Sequence, residues 1–154
     1  MNILLLSSEV AGIMKSGGLA DVAKALPLQL QAEGHDVRVV MPCYTTIKDY
    51  DKLEVIAHGV LNENNPDEKL RIPYSIRKTY LNKVVEVWLV ECPRYFDRTS
   101  MYGDNNQAYA DNGERFAFFS AAALDACKHL NYWFDLLHCH DWHTGIAPVL
   151  MRTK

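Results

Sequence analysis

The sequence predicts an α/β domain: a Rossmann-like, mainly parallel sheet with flanking helices and a β-meander inserted beside it. Three observations carry this. Residues 3–6 form a continuous apolar run without alternation, as in a parallel strand buried on both faces. Leu19, Val22, Ala23, Leu26 and Leu30 then recur at helical spacing, and residues 37–41 read as a second strand. Strand, helix and strand in close succession make a β-α-β unit, whose crossover is right-handed. Finally, residues 53–60, 71–81 and 84–90 are three strand-like runs in a row, the pattern of a meander.

Taken in order, the first strand runs from Asn2 to Ser8 and gives way to Met14-Lys15-Ser16-Gly17-Gly18-Leu19-Ala20-Asp21. The helix over 18–33 contains Pro27, which predicts a kink, or one helix ending and another beginning. Gly34 is a natural C-terminal stop. Pro42 closes the second strand. Residues 43–53 are polar with scattered tyrosines and read as a surface connection. Asn65-Pro66-Asp67 centres a turn. Pro73 favours an edge position for the strand at 71–81. Asn82-Lys83 is a weak hairpin turn. Residues 93–110 show no periodicity and much Tyr, Asp, Asn and Arg, and a loop of that length is more often functional than filler. Asp111 with Glu114 three residues on is a capping-box pattern, opening a helix to about Leu130 with Phe116, Phe119, Ala123, Ala126 and Leu130 inward. A strand at 134–139 and a final helix from Gly145 complete the chain.

At 154 residues the chain is one domain's worth, and 49% hydrophobic content allows a sizeable core. The net charge is −3, from 16 basic and 19 acidic residues, with no basic stripe for nucleic acid. No apolar run approaches the length of a membrane span. Met1-Asn2 leads straight into strand residues, so no signal peptide is expected. Cys43, Cys92, Cys127 and Cys139 have no C-x-x-C or framework spacing and read as reduced thiols of a cytoplasmic protein.

In open α/β sheets, ligands sit outside the carboxyl ends of the strands. Lys15-Ser16-Gly17-Gly18 follows the first strand, His140-Asp141-Trp142-His143 follows the strand at 134–139, and residues 93–110 follow the strand at 84–90. Three segments remote in sequence are therefore expected at one rim. A helix start offers free N–H groups and partial positive charge to an anion. Glycines let a ligand approach the backbone, and Lys15 adds a full charge. A tight turn with a solvated lysine is the plainer reading, since the pattern is neither GxGxxG nor a Walker loop. Asp21 is either a surface partner of Lys24 or a site residue. His138 reads as a buried core histidine, and Asp141 as a helix N-cap or a catalyst. A zinc site is disfavoured: Asp141 directly follows His140, unlike H-x-H-x-D-H, and no other His or Cys pair has ligand spacing. Tyr95, Tyr102, Tyr109 and Trp142 serve packing or stack on sugar rings. Asp111, Asn112 and Arg115 cap and anchor their helix first.

Lys15-Ser16-Gly17-Gly18-Leu19-Ala20-Asp21-Val22, after a strand ending Ser7-Ser8-Glu9-Val10, resembles the opening of bacterial glycogen synthases and plant starch synthases, with K-x-G-G-L and A-D-V. His138-Cys139-His140-Asp141-Trp142-His143 resembles that family's H-x-H-D-W block. Tyr102-Gly103-Asp104 through Asp111-Asn112 to Arg115-Phe116 resembles its Y-G…D-N-x-x-R-F segment. The three matches fall in order across nearly the whole chain. The resemblance implies a retaining two-lobed transferase of GT-B type. Residues 1–154 would be a single domain, part of the N-terminal, acceptor-side lobe, without the C-terminal nucleotide-binding lobe. The implied reaction moves glucose from ADP-glucose to the non-reducing end of an α-1,4-glucan, with no cofactor and no metal. Lys15, Gly17 and Gly18 would face the donor diphosphate, and His140 would lie near the donor sugar. Asp21, Tyr102, Asp111 and Asn112 would line the substrate site. Such a segment would be inactive alone. A non-catalytic glucan-binding or dimerisation module and a flavodoxin-like nucleotide binder remain the alternatives.

Overall fold

A computed structural model of the chain describes residues 1–153. The chain opens with β1 (Asn2–Leu6), α1 (Gly18–Ala32) and β2 (Asp36–Pro42), the expected β-α-β unit. β3 (Glu54–Leu61), β4 (Ile72–Leu81) and β5 (Val85–Glu91) form the meander. A single turn of helix, α2 (Pro93–Phe96), and a small hairpin of β6 (Gly103–Asp104) and β7 (Gln107–Ala108) follow. α3 (Asn112–His129), β8 (Leu136–Cys139) and α4 (Ala147–Thr153) complete it.

Six strands make one sheet in the order β3-β4-β5-β2-β1-β8. β5, β2, β1 and β8 run parallel, and β3 and β4 are antiparallel to their neighbours. The meander is therefore not hung beside the parallel sheet. Its last strand, β5, is itself a parallel strand paired with β2, Arg38 facing Glu86 and Pro42 facing Val90. β1 lies between β2 and β8, which explains its unbroken apolar run: Leu4, Leu5 and Leu6 are fully buried. The β1-to-β2 and β5-to-β8 crossovers run in opposite directions along the sheet. Right-handedness then puts α1 and α3 on opposite faces.

Several local expectations change. α1 continues through Pro27, which is buried in the helix rather than ending it. β4 is not an edge strand, yet Pro73 keeps an edge-like place. It pairs with Val60 of β3, while pairing with β5 starts only at Ser75, so its missing N–H interrupts no ladder. The capping box at Asp111 does not form: that side chain makes no cap bond to α3 and pairs with Arg98 instead, at 2.7 Å. Residues 93–110 are not structureless, since α2 and the β6–β7 hairpin lie within them. Gly103 is required there, because a Cβ would meet the Gln107 carbonyl oxygen at 2.1 Å. The buried face of α3 includes the expected Phe116, Phe119, Ala123 and Ala126, widened by Phe118, Ala122, Cys127 and Arg115.

Candidate functional site

The carboxyl ends of β1, β2, β5 and β8 share one rim, and the loops leaving them touch one another. Beyond β1, Val10 and Met14 pair across a turn in which Gly12 takes φ +94°, returning the chain to the start of α1. Ser8 Oγ lies 2.7 Å from the Tyr102 hydroxyl, joining the first loop to the 93–110 segment. Tyr44, just past β2, donates its hydroxyl to the Ser8 carbonyl at 2.8 Å. The His143 ring packs at 4.8 Å from Tyr102 and 4.7 Å from Phe116, bringing in the loop after β8. Trp142 stacks on His143 at 4.1 Å and is itself 56% exposed. The convergence expected from strand order is thus made by direct contacts.

The first loop carries an unforeseen feature. The Glu9 carboxylate is buried and accepts the backbone N–H groups of Ser16 and Gly17, the latter at 3.2 Å, with the Ser16 hydroxyl at 3.1 Å. Two amides at the start of α1 are thus engaged within the chain. Sequence reading missed Glu9 because its partners are set by the Val10–Met14 turn. An acidic residue just upstream of a helix start was the available signal. Lys15 pairs with Asp21 through both carboxylate oxygens, at 2.6 and 2.7 Å, in solvent. Lys24 is therefore not Asp21's partner. Gly17 and Gly18 have open space where a Cβ would stand, and neither has a positive φ. Nothing in this chain's own packing requires a glycine at either place.

His140 and His143 are 9% and 6% exposed, and each has a buried ring nitrogen, Nε2 and Nδ1 respectively, without a hydrogen-bond partner among the described residues. Burial holds the His140 imidazole below its ordinary value, with the stacked His138, 4.5 Å away, adding to the shift. Burial also lowers His143, against the opposing pull of Asp141 and Glu9. The His140 carbonyl accepts the Thr144 hydroxyl at 2.8 Å. His138 is partly exposed rather than a core residue. Asp141 sits at φ 61°, ψ −179°, a region costly for a residue with a Cβ, and its carboxylate caps the Trp142 amide at 2.6 Å. Among the described residues no group of His, Cys, Asp or Glu is placed to hold a metal ion.

The remaining expected residues hold the 93–110 segment. Asn112 donates to the Tyr102 carbonyl at 2.8 Å. Arg115 is fully buried and donates to the carbonyls of Tyr95 at 2.7 Å and Met101 at 2.9 Å. Burial pushes the Tyr102 hydroxyl well above its ordinary value, so it stays protonated. A groove of about 570 Å³ beside β3 and β4 lies away from this cluster. Two pairs of its polar side chains are already joined, His58 with Ser75 and Tyr74 with Asp125, and convergence rather than volume marks the site.

Residues 2–154 match the starch synthase catalytic domain family. The chain belongs to that family. It is 52% identical to a glycogen synthase of Aeromonas salmonicida, covering all of this chain and 31% of that protein. It is 47% identical to one of Photobacterium profundum, covering 30% of it. The catalytic domain of starch synthase IV from Arabidopsis thaliana, solved bound to ADP and acarbose, superposes with a TM-score of 0.76 at 26% identity over 97% of this chain and 30% of that one. The chain thus spans about a third of the length of these glycogen and starch synthases. The three stretches that carry the sequence resemblance meet at the rim.

Proposed function

We propose that residues 1–154 form the acceptor-side part of a glycogen synthase's first lobe, one wall of a cleft. In it glucose passes from ADP-glucose to the non-reducing end of an α-1,4-glucan with retention. The observation that carries this reading is the pair of glycines beside Lys15, bare on the rim without a packing or backbone reason. A phosphate reaching Gly17 and Gly18 meets Lys15 next to them, and a cation there stabilises charge growing on the leaving diphosphate. Asp21 keeps Lys15 in place. His140 offers its unpartnered Nε2 to a sugar hydroxyl. Tyr102, positioned by Asn112, with Asp111 holding Arg98 behind it, and the exposed Trp142 form the glucan side. The family and the bound ADP and acarbose of the Arabidopsis relative support the same substrate classes. No helix among the described residues is long and apolar enough to cross a membrane, and the buried thiols suit a reducing cytoplasm.

The test is calorimetric titration of this chain with maltooligosaccharide and, separately, with ADP-glucose. Glucan binding that shifts residues 93–115 in amide spectra, with weak donor binding, is the expected result. Tight ADP-glucose binding without glucan would identify a self-sufficient nucleotide domain instead.

A further inference from the structure

The Glu9 carboxylate has no task in the reading above. It is 3% exposed, and no lysine, arginine or histidine pairs with it among the described residues. A buried carboxylate without a counter-ion is costly unless hydrogen bonds hold its charge. Here the Ser16 and Gly17 amides, the Ser16 hydroxyl and the positive end of α1 hold it. Glu9 is itself fixed from behind, since Ser7 Oγ donates to its carbonyl at 2.7 Å. Its negative charge also acts on Tyr102 and His143, so it lies among the groups that converge at the rim. The carboxylate stands where an anion bound by the amides just before α1 would stand. A diphosphate arriving at this loop is left with Lys15 and the open faces of Gly17 and Gly18.

We propose that Glu9 is a positioning residue for the donor: a built-in anion that locks Ser16 and Gly17 and thereby fixes where Lys15 stands. This rests on the reading that Lys15 meets the donor diphosphate. With Glu9 neutralised, the two amides lose their strong acceptor and Lys15 loses its fixed base.

The experiment uses a full-length glycogen synthase carrying this segment, with Glu9→Gln, Lys15→Ala and the double variant. Glu9→Gln is expected to raise the KM for ADP-glucose about tenfold, leaving the maltooligosaccharide KM and the thermal midpoint nearly unchanged. Because Glu9 acts through Lys15, the Glu9→Gln effect should vanish in the Lys15→Ala background. In this chain, the Ser16 and Gly17 amide proton resonances should move upfield on the same substitution. Moved amides with an unchanged donor KM would reduce Glu9 to a structural cap and overturn the proposal, as would full additivity in the double variant. An unchanged donor KM in Lys15→Ala would instead remove the donor reading beneath it. Glu9→Asp, which keeps the charge one methylene short, supplies the same comparison if Glu9→Gln fails to fold.

Discussion

Gly18 separates ligand contact from architecture at the level of a single atom. It is the first residue of α1, with nothing within 4 Å of a Cβ built on it. Gly18→Ala is expected to raise stability by about 0.5–1 kcal/mol, since alanine is the better helix former. On the proposed reading the same methyl group would stand in the path of the diphosphate, so it is expected to weaken ADP-glucose use by the full-length enzyme. Denaturant unfolding and donor KM check the two halves, and a variant with both improved would remove the ligand-approach reading. His140 and His143 make a second prediction. Both are held below their ordinary value by burial, so below about pH 6.5 the unfolded chain binds protons that the folded chain refuses. Their contribution to stability is present above that pH and is lost as pH falls through it. Urea midpoints at about pH 7.5 and about pH 5.5 should show the drop, and His143→Gln should shrink it. The place of Lys15 and its glycines at the rim was legible from strand order. Glu9 was not, because what makes it matter is a turn that folds it back onto α1.

Elements hold the rim in shape through a few side chains that cross between them. Arg115 of α3 reaches the carbonyls on both sides of residues 97–100, and its Nη1 also meets Asn112 Oδ1 at 2.7 Å. Arg115→Met leaves those carbonyls without donors, and a loss of about 2–4 kcal/mol is expected, with faster protease cutting within 97–110. Uncut, equally stable protein would mean that the hairpin and α2 order the segment alone. The connection between β4 and β5 offers the opposite sign. Asn82 and Lys83 both have positive φ, and the Val84 amide closes the turn on the Leu81 carbonyl at 3.0 Å. A type I′ turn favours glycine at its second central position, so Lys83→Gly should gain about 0.5–1 kcal/mol in thermal or urea unfolding. That turn reads weakly in sequence because Asn-Lys lacks the glycine. The missing cap at Asp111 has a related cause: Arg98, thirteen residues upstream, outcompetes the helix amides for its carboxylate, and sequence spacing does not carry such a partner.

On the proposed reading the whole molecule is one wall of a cleft, and the chain covers 31% of the Aeromonas salmonicida glycogen synthase it resembles. The isolated chain is therefore expected to transfer no labelled glucose from ADP-glucose to maltooligosaccharide, and measurable turnover would place a complete site within these residues. Fold class and the rim followed from strand order and the carboxyl-end rule, which depend on local patterns. The joining of the meander to the parallel sheet did not, because nothing local in residues 85–91 says which strand will lie alongside. β1 shows what such long-range pairing entails. Its two neighbours are supplied by residues 36–40 and 136–139. At ribosomal speeds the second arrives about 5–20 s after the first. Throughout that interval a strand whose residues 3–6 are all apolar has one side open to whatever chain is nearby. The newborn protein therefore carries this open apolar edge well before its rim is assembled, and a chaperone that acts during synthesis would find a client in β1.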